Sequence, residues 1–233
     1  MGVLWYAWRT GLVGCGAGEN LRQKGETAMS ATCFIAGASP EEGGIRIAPK
    51  ADDLVIAADG GYARLTKAGI ASHVIIGDFD SLGFVPKHTQ VLPHPKEKDD
   101  TDMMLAIRFG LSKGYQAFEI VGGLGGRIDH TIANIQAITF LARRGARGVL
   151  VDRNTRATVI CSGNIEFDAT ERGTISVFAL DKEVHGVTER GLRYPLTDAT
   201  LTNAFPVGVS NSFVGEKSVV SVRDGTLLII TFQ

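Results

Sequence analysis

From residue 31 onward, short runs of apolar positions alternate with segments that repeat their apolar residues at helical spacing. Residues 31–36, 54–58, 73–77, 117–121 and 148–151 read as strands, and residues 62–68, 101–112 and 129–144 as helices, the last two ending at Gly114 and Gly145. The strands are apolar at nearly every position rather than at every second one, which is the pattern of strands buried on both faces. This half therefore predicts a mostly parallel sheet inside a three-layer α/β domain. Ligands of such sheets sit beyond the carboxyl ends of the strands, and Asp59, Asp78, Asp80 and Gly122-Gly123 each follow a predicted strand.

After about residue 153 the helical period disappears. Residues 157–161, 174–180, 182–187, 218–223 and 226–232 are strand-like runs separated by Gly, Asn and Asp, with Asp224-Gly225 a cue for a two-residue hairpin. The chain thus divides into an α/β part, residues 29–153, and an all-β part, residues 154–233. Residues 1–28 carry Trp5, Trp8 and a glycine-rich patch around Cys15, but no strand or helix period. They also lack a basic stretch followed by an adequate apolar one, so they read as an extension outside the fold rather than a secretory signal. Translation starting at Met29 is the expectation, and an intact mass of the longer chain would overturn it.

A chain of 233 residues is long enough for a substantial core, and 24 basic against 25 acidic side chains leave a net charge of −1. No whole-chain field favours nucleic acid or an anionic membrane, so an anionic ligand must be handled locally. Cys15, Cys33 and Cys161 form no close pair and suggest neither a zinc site nor a disulfide framework, which fits a reducing cytoplasm. No apolar run approaches the roughly 20 residues that span a bilayer.

Candidate chemistry gathers in three places. Gly77-Asp78-Phe79-Asp80-Ser81 closes an apolar run, and Lys98-Asp99-Asp100-Thr101-Asp102 opens a helix. Asp78 and Asp80 stand two apart at a strand end, on one side if the extended geometry persists, and two carboxylates so held call for a cation. Magnesium is the natural one, although an Asx-type turn accounts for an isolated pair as well. Asp99 and Asp102 are spaced as an N-cap and N3 pair and suit the positive end of a helix. Three carboxylates in four positions nevertheless repel one another against a dipole gain of roughly 0.3–1 kcal/mol each.

The third element runs Val121-Gly122-Gly123-Leu124-Gly125-Gly126-Arg127-Ile128-Asp129-His130-Thr131-Ile132-Ala133-Asn134: a strand, a glycine-rich turn and a helix. Free amides in such a turn approach phosphate oxygens closely. Arg127, His130 and Asn134 form a polar stripe beside it, readable as a phosphate site or as a solvated face, with Arg127 the stronger phosphate ligand. Asp59-Gly60-Gly61 adds another acid at a strand end, or a simple turn.

These motifs, in order from Ala57-Ala58-Asp59-Gly60-Gly61 through GDFDS, Asp99-x-Thr101-Asp102 and GGRIDH to Gly191-Leu192-Arg193-Tyr194-Pro195-Leu196 and Gly208-Val209-Ser210-Asn211, resemble the thiamine pyrophosphokinase family. The resemblance covers almost everything after Met29. It implies an α/β domain followed by a β-sandwich domain, a homodimer with active sites across the subunit interface, and magnesium-dependent transfer of diphosphate from ATP to thiamine. Residue by residue, it places metal and diphosphate at Asp78, Asp80 and Asp102, with Asp99 and Thr101 close by. ATP is placed near Asp59, Gly60, Gly126, Arg127, Asp129, His130 and Asn134, and thiamine at Tyr194, Ser210 and Asn211. Ser212 departs from the acid that bacterial relatives often carry there, and the N-terminal extension has no counterpart.

The chemistry so implied is in-line attack of the thiamine hydroxyl on the β-phosphorus, with AMP leaving and Asp99 or Asp102 accepting the proton. Asp100, between Asp99 and Thr101, is then the dispensable acid of its cluster. The alternatives are a DxD-type nucleotidyl or glycosyl transferase and a non-catalytic nucleotide or thiamine sensor.

Overall fold

The computed structural model describes residues 31–40, 44–77 and 100–233 and the backbone of 90–93. The expectations for residues 1–28, Asp78, Asp80 and Asp99 lie outside the described residues. Six parallel strands, β1 (Thr32–Ala36), β2 (Leu54–Ala58), β3 (Val74–Gly77), β4 (Gln90–Pro93), β5 (Ala117–Val121) and β6 (Arg147–Asp152), lie in the order β6-β5-β1-β2-β3-β4. Helices α1 (Gly61–Lys67), α2 (Asp102–Ser112) and α3 (Ile128–Ala142) cover the sheet. The alternation of Cβ directions sorts each strand into two cores. Cys33 and Ile35 of β1 join Ile56, Ile76 and the α2 and α3 residues Ile107, Ile138 and Leu141, while Phe34 and Ala36 join Val55, Ile75 and Leu65 of α1. Burial on both faces is why these runs carry no polar alternation.

Strand order fixes where a ligand can enter. From β1 the chain steps outward through β2, β3 and β4, then returns to the other side of β1 for β5 and β6. The reversal opens a crevice beyond the carboxyl ends of β1 and β5. Gly37 and the Gly122–Gly126 turn lie at its mouth.

The second half is all β, and it shares a sheet with the first. β7 (Thr155–Cys161) turns back antiparallel on β6 through Arg153-Asn154, and β14 (Thr226–Phe232), β9 (Thr174–Ala179) and β12 (Asn211–Ser212) extend the same sheet to ten strands. A second sheet, β11 (Leu196–Thr202), β10 (Glu183–Arg190), β13 (Ser218–Ser221) and β8 (Asn164–Phe167), is antiparallel throughout. Ile175, Val177, Leu227 and Ile229 of the first sheet and Val184, Val187, Leu201 and Val220 of the second form the core between them.

Asp224-Gly225 does not close a hairpin. β13 and β14 belong to different sheets, and the turn carries the chain across the sandwich while Asp224 bridges to His185. The sequence reading also omits β4, β8, β11 and β12, which are short or largely exposed. Among the described residues no helix is long and apolar enough to cross a membrane.

Candidate active site

The loops at the carboxyl edge are tied into one unit. Gly37 N donates to Val121 O (2.8 Å) and Ser39 N to Gly122 O (3.0 Å), so the β1 loop lies along the glycine turn that follows β5. The Arg64 guanidinium reaches back from α1 to Gly37 O (3.4 Å) and to Ser39 O. Gly61, first in α1, sits directly on β1, where a Cβ would lie 1.9 Å from Ala36 O. Gly122 has φ 66° and would place a Cβ 2.5 Å from Gly37 O. No other residue fits either position without moving backbone.

Asp59 follows β2 in the left-handed region, φ 49°, a conformation aspartate tolerates better than most residues. Its N–H donates to Ile76 O (2.9 Å), which pins it against the end of β3. A Cβ built on Gly77 would lie 3.3 Å from Asp59 Cα and 3.8 Å from Asp102 Oδ2. Asp59 and Asp102 therefore flank the point from which the chain continues to Asp78.

The start of α2 differs from the spacing argument. Its N-cap is Thr101, with φ −72° and ψ 158°, whose Oγ1 accepts from Met104 N (3.2 Å), so Asp102 is the first helical residue and not N3. A capping hydroxyl at Thr101 leaves the Asp102 carboxylate for the sheet edge. Asp100 is used elsewhere: its Oδ2 lies 3.1 Å from Arg108 Nε along the side of α2.

The glycine turn leads into α3 through Arg127, the N-cap, which is extended and makes no side-chain cap bond. The expected stripe of Arg127, His130 and Asn134 is split, because Arg127 stands outside the helix and His130 is exposed while Asn134 is buried. Arg127 forms a fork to Asp129, Nε to Oδ1 at 3.1 Å and Nη2 to Oδ2 at 2.5 Å, with both side chains exposed. The hydrogen bond from Arg127 holds the Asp129 carboxyl below its ordinary value, and Asp129 holds the guanidinium above its own. An ion pair in open solvent is cheap to reopen for a phosphate. Asn134 turns its amide inward instead, donating to Gly123 O (2.7 Å). It braces the glycine turn from beneath.

In the β half, Tyr194 is 61 % exposed and Ser210 is exposed with φ 62°, its N–H held by the buried Ser176 Oγ (3.1 Å). Asn211 is buried, and its whole amide is engaged. Oδ1 accepts from Tyr194 N (3.0 Å) and Ser212 N (2.9 Å), while Nδ2 donates to Tyr194 O and Glu189 Oε2, both at 2.8 Å. Arg64, Ser176 and Glu189 were missed by the sequence reading. Only Glu189 left a signal there, an acid two residues beyond Val187 at an inward position of a strand ended too early.

Among the described residues no three potential ligands gather to hold a metal, and Asp102 is the one described member of the expected set. The donors present are nonetheless of the right kind: a half-buried carboxylate beside Asp59, at the end of the strand that leads to two further aspartates. Hard oxygen donors of this kind fit magnesium.

A doubly wound sheet with carboxylates and a glycine turn beside its crevice is an arrangement suited to an α/β enzyme that handles phosphates. Comparison with known proteins narrows this. Residues 47–150 match the family model "Thiamin pyrophosphokinase, catalytic domain", and residues 163–227 match "Thiamin pyrophosphokinase, vitamin B1 binding domain". The chain is 29 % identical over 184 residues to a thiamine pyrophosphokinase of Bacillus subtilis, covering 76 % of this chain and 86 % of that one. Among solved structures, a thiamin pyrophosphokinase family protein from Enterococcus faecalis superposes with TM-score 0.76 at 29 % identity, covering 88 % of this chain and 99 % of its own. One from Geobacillus thermodenitrificans gives 0.74 at 26 %, covering 87 % and 97 %. The chain belongs to the thiamine pyrophosphokinase family and is an enzyme of that class.

Proposed function

We propose that this chain works as a cytoplasmic, magnesium-dependent homodimer that transfers diphosphate from ATP to the hydroxyl of thiamine, giving thiamine diphosphate and AMP. The observation that carries the reading is the convergence of Asp59, Asp102, Gly77 and the Gly122–Gly126 turn beside the crevice between β1 and β5. ATP phosphates lie against that turn and the N-terminus of α3, with Gly60, Gly126, Arg127, Asp129 and His130 around them. Asp78, Asp80 and Asp102 hold magnesium, which when bound neutralises charge on the transferred group. The thiamine oxygen attacks the β-phosphorus, the bond from that phosphorus to the bridging oxygen of AMP breaks, and a carboxylate of the second cluster, Asp99 or Asp102, takes the hydroxyl proton. Tyr194 offers a face for the pyrimidine ring, and Ser210 stands beside it.

Strand order supports the dimer. β12, which carries Asn211, is six strand spacings from β1 and eight from β3 in the same sheet. At about 4.8 Å each, that is roughly 29 and 38 Å, too far for one molecule of thiamine to meet both Tyr194 and Asp102 of one chain. A second copy would bring them together. Apolar surface supports this on both halves: Ile128 (78 % exposed) and Ile132 on α3, and Phe205, Val207, Val209 and Val214 in the β half.

Mixing the protein with ATP, magnesium and thiamine tests the activity. AMP and thiamine diphosphate appearing in equal amounts is the expected result. Use of a nucleotide sugar or another donor would favour a DxD-type transferase, and binding without products a sensor.

A further inference from the structure

Glu189 is 1 % exposed on β10, paired in register with Val220 of β13 and on the side of the strand that faces the sandwich core. A carboxylate there is costly unless its oxygens are met. Oε2 accepts from Asn211 Nδ2 at 2.8 Å, but Oε1 is buried without a hydrogen-bond partner. Burial pushes the carboxyl pKa up, and the Asn211 bond only partly offsets that. An acid held at such expense, beside one neutral amide, calls for a reason in what that amide does.

The amide of Asn211 grips Tyr194 by both backbone groups, accepting from its N–H and donating to its C=O. A side-chain amide can turn over by 180°, and the flipped form would set its NH2 against the N–H groups of Tyr194 and Ser212. Glu189 Oε2 meets this amide as an acceptor. With the Tyr194 and Ser212 N–H groups aimed at Oδ1 and the Tyr194 C=O at Nδ2, it reinforces the orientation in which Nδ2 faces it. Arg193 N to Ser212 O (3.0 Å) completes the join between the Tyr194 segment and β12.

We infer that Glu189 is a positioning residue for the acceptor site: by fixing the Asn211 amide it holds the exposed Tyr194 ring and the adjoining Ser210 loop in the arrangement that receives thiamine. The inference rests on the proposed placing of thiamine at Tyr194.

The test uses full-length Glu189→Leu and Glu189→Gln with steady-state kinetics and thermal denaturation. Leucine removes the acceptor, so the KM for thiamine rises about tenfold while the KM for ATP stays within about twofold. The melting temperature stays level or rises, because an apolar residue replaces a buried carboxyl with one oxygen left without a hydrogen-bond partner. Glutamine keeps an oxygen for Asn211, and its thiamine KM stays within about threefold of wild type.

A thiamine KM unchanged in the leucine variant, or equal rises in both KM values, would overturn the inference. If leucine prevents folding, Glu189→Met carries the same test, and failure of both to fold also overturns it by making Glu189 a support of the fold. Tyr194→Ala separates the two levels. If it leaves thiamine KM unchanged, the placing of thiamine at Tyr194 fails; if it raises that KM while Glu189→Leu does not, only the role of Glu189 fails.

Discussion

Replacing Asn134 by alanine removes the donor that meets Gly123 O at 2.7 Å in a site where both residues are buried. A buried carbonyl left without its partner costs about 1–3 kcal/mol. In a chain of this size each kcal/mol lowers the melting temperature by roughly 2–4 °C, so a fall of about 2–12 °C is expected. The same bond braces the turn that presents Gly125, Gly126 and Arg127, and the KM for ATP should rise about tenfold with little change in that for thiamine. Asn134→Asp keeps the shape but sets a carboxylate against the carbonyl, and should cost at least as much. Thermal denaturation and initial rates on the same preparations decide the matter. An alanine variant melting within about 1 °C of wild type with an unchanged ATP KM would refute the bracing role.

Further outcomes follow from the same geometry. Gly61→Ala drives a Cβ to 1.9 Å from Ala36 O, so α1 must leave β1; the melting temperature should drop by more than the Asn134 variants lose, and a level melt would refute the close approach. Arg127→Ala breaks only an exposed pair with Asp129, so stability should hold while turnover at fixed ATP falls about a hundredfold or more; unchanged turnover removes Arg127 from phosphate binding. The Glu189 carboxyl is raised in the folded state, so its contribution to stability is present below the ordinary glutamate range and is lost as pH rises through the folded value. The melting-temperature advantage of Glu189→Gln over wild type should therefore be larger at about pH 8 than at about pH 5, and equal offsets would contradict this.

The parallel half was legible because strands such as Leu54–Ala58 and Ala117–Val121 bury both faces, which writes a continuous apolar run into the chain. Leu196–Thr202 and Asn164–Phe167 lie at the two edges of the second sheet and are largely polar or half-exposed, so no period marked them. Asp224-Gly225 has the composition of a hairpin, but Val222 N bonds to Gly163 O and His185 N to Asp224 O, contacts that hold the end of β13 between β8 and β10 in the second sheet and that no local rule contains. Within the site, motifs located the loops but not what each side chain does in them. Asn134 and Asn211 sit beside glycine or serine turns as ligands would, yet both amides face into the protein and shape the turns. Distinguishing a polar group that touches substrate from one that holds a loop needs the partner atoms, which are far away in sequence: Gly123 lies 11 residues from Asn134, and Glu189 lies 22 from Asn211.

The proposed site is shared between two copies, carboxylates from one and Tyr194 from the other. It is tested by mixing Asp102→Asn and Tyr194→Ala subunits under conditions that exchange protomers, with thiamine held well below the KM of Tyr194→Ala so that each variant alone turns over little. Random pairing leaves one intact site in every mixed dimer, so recovery of about a quarter of wild-type activity is expected. A mixture no more active than its two components, with mixed dimers present, would contradict it.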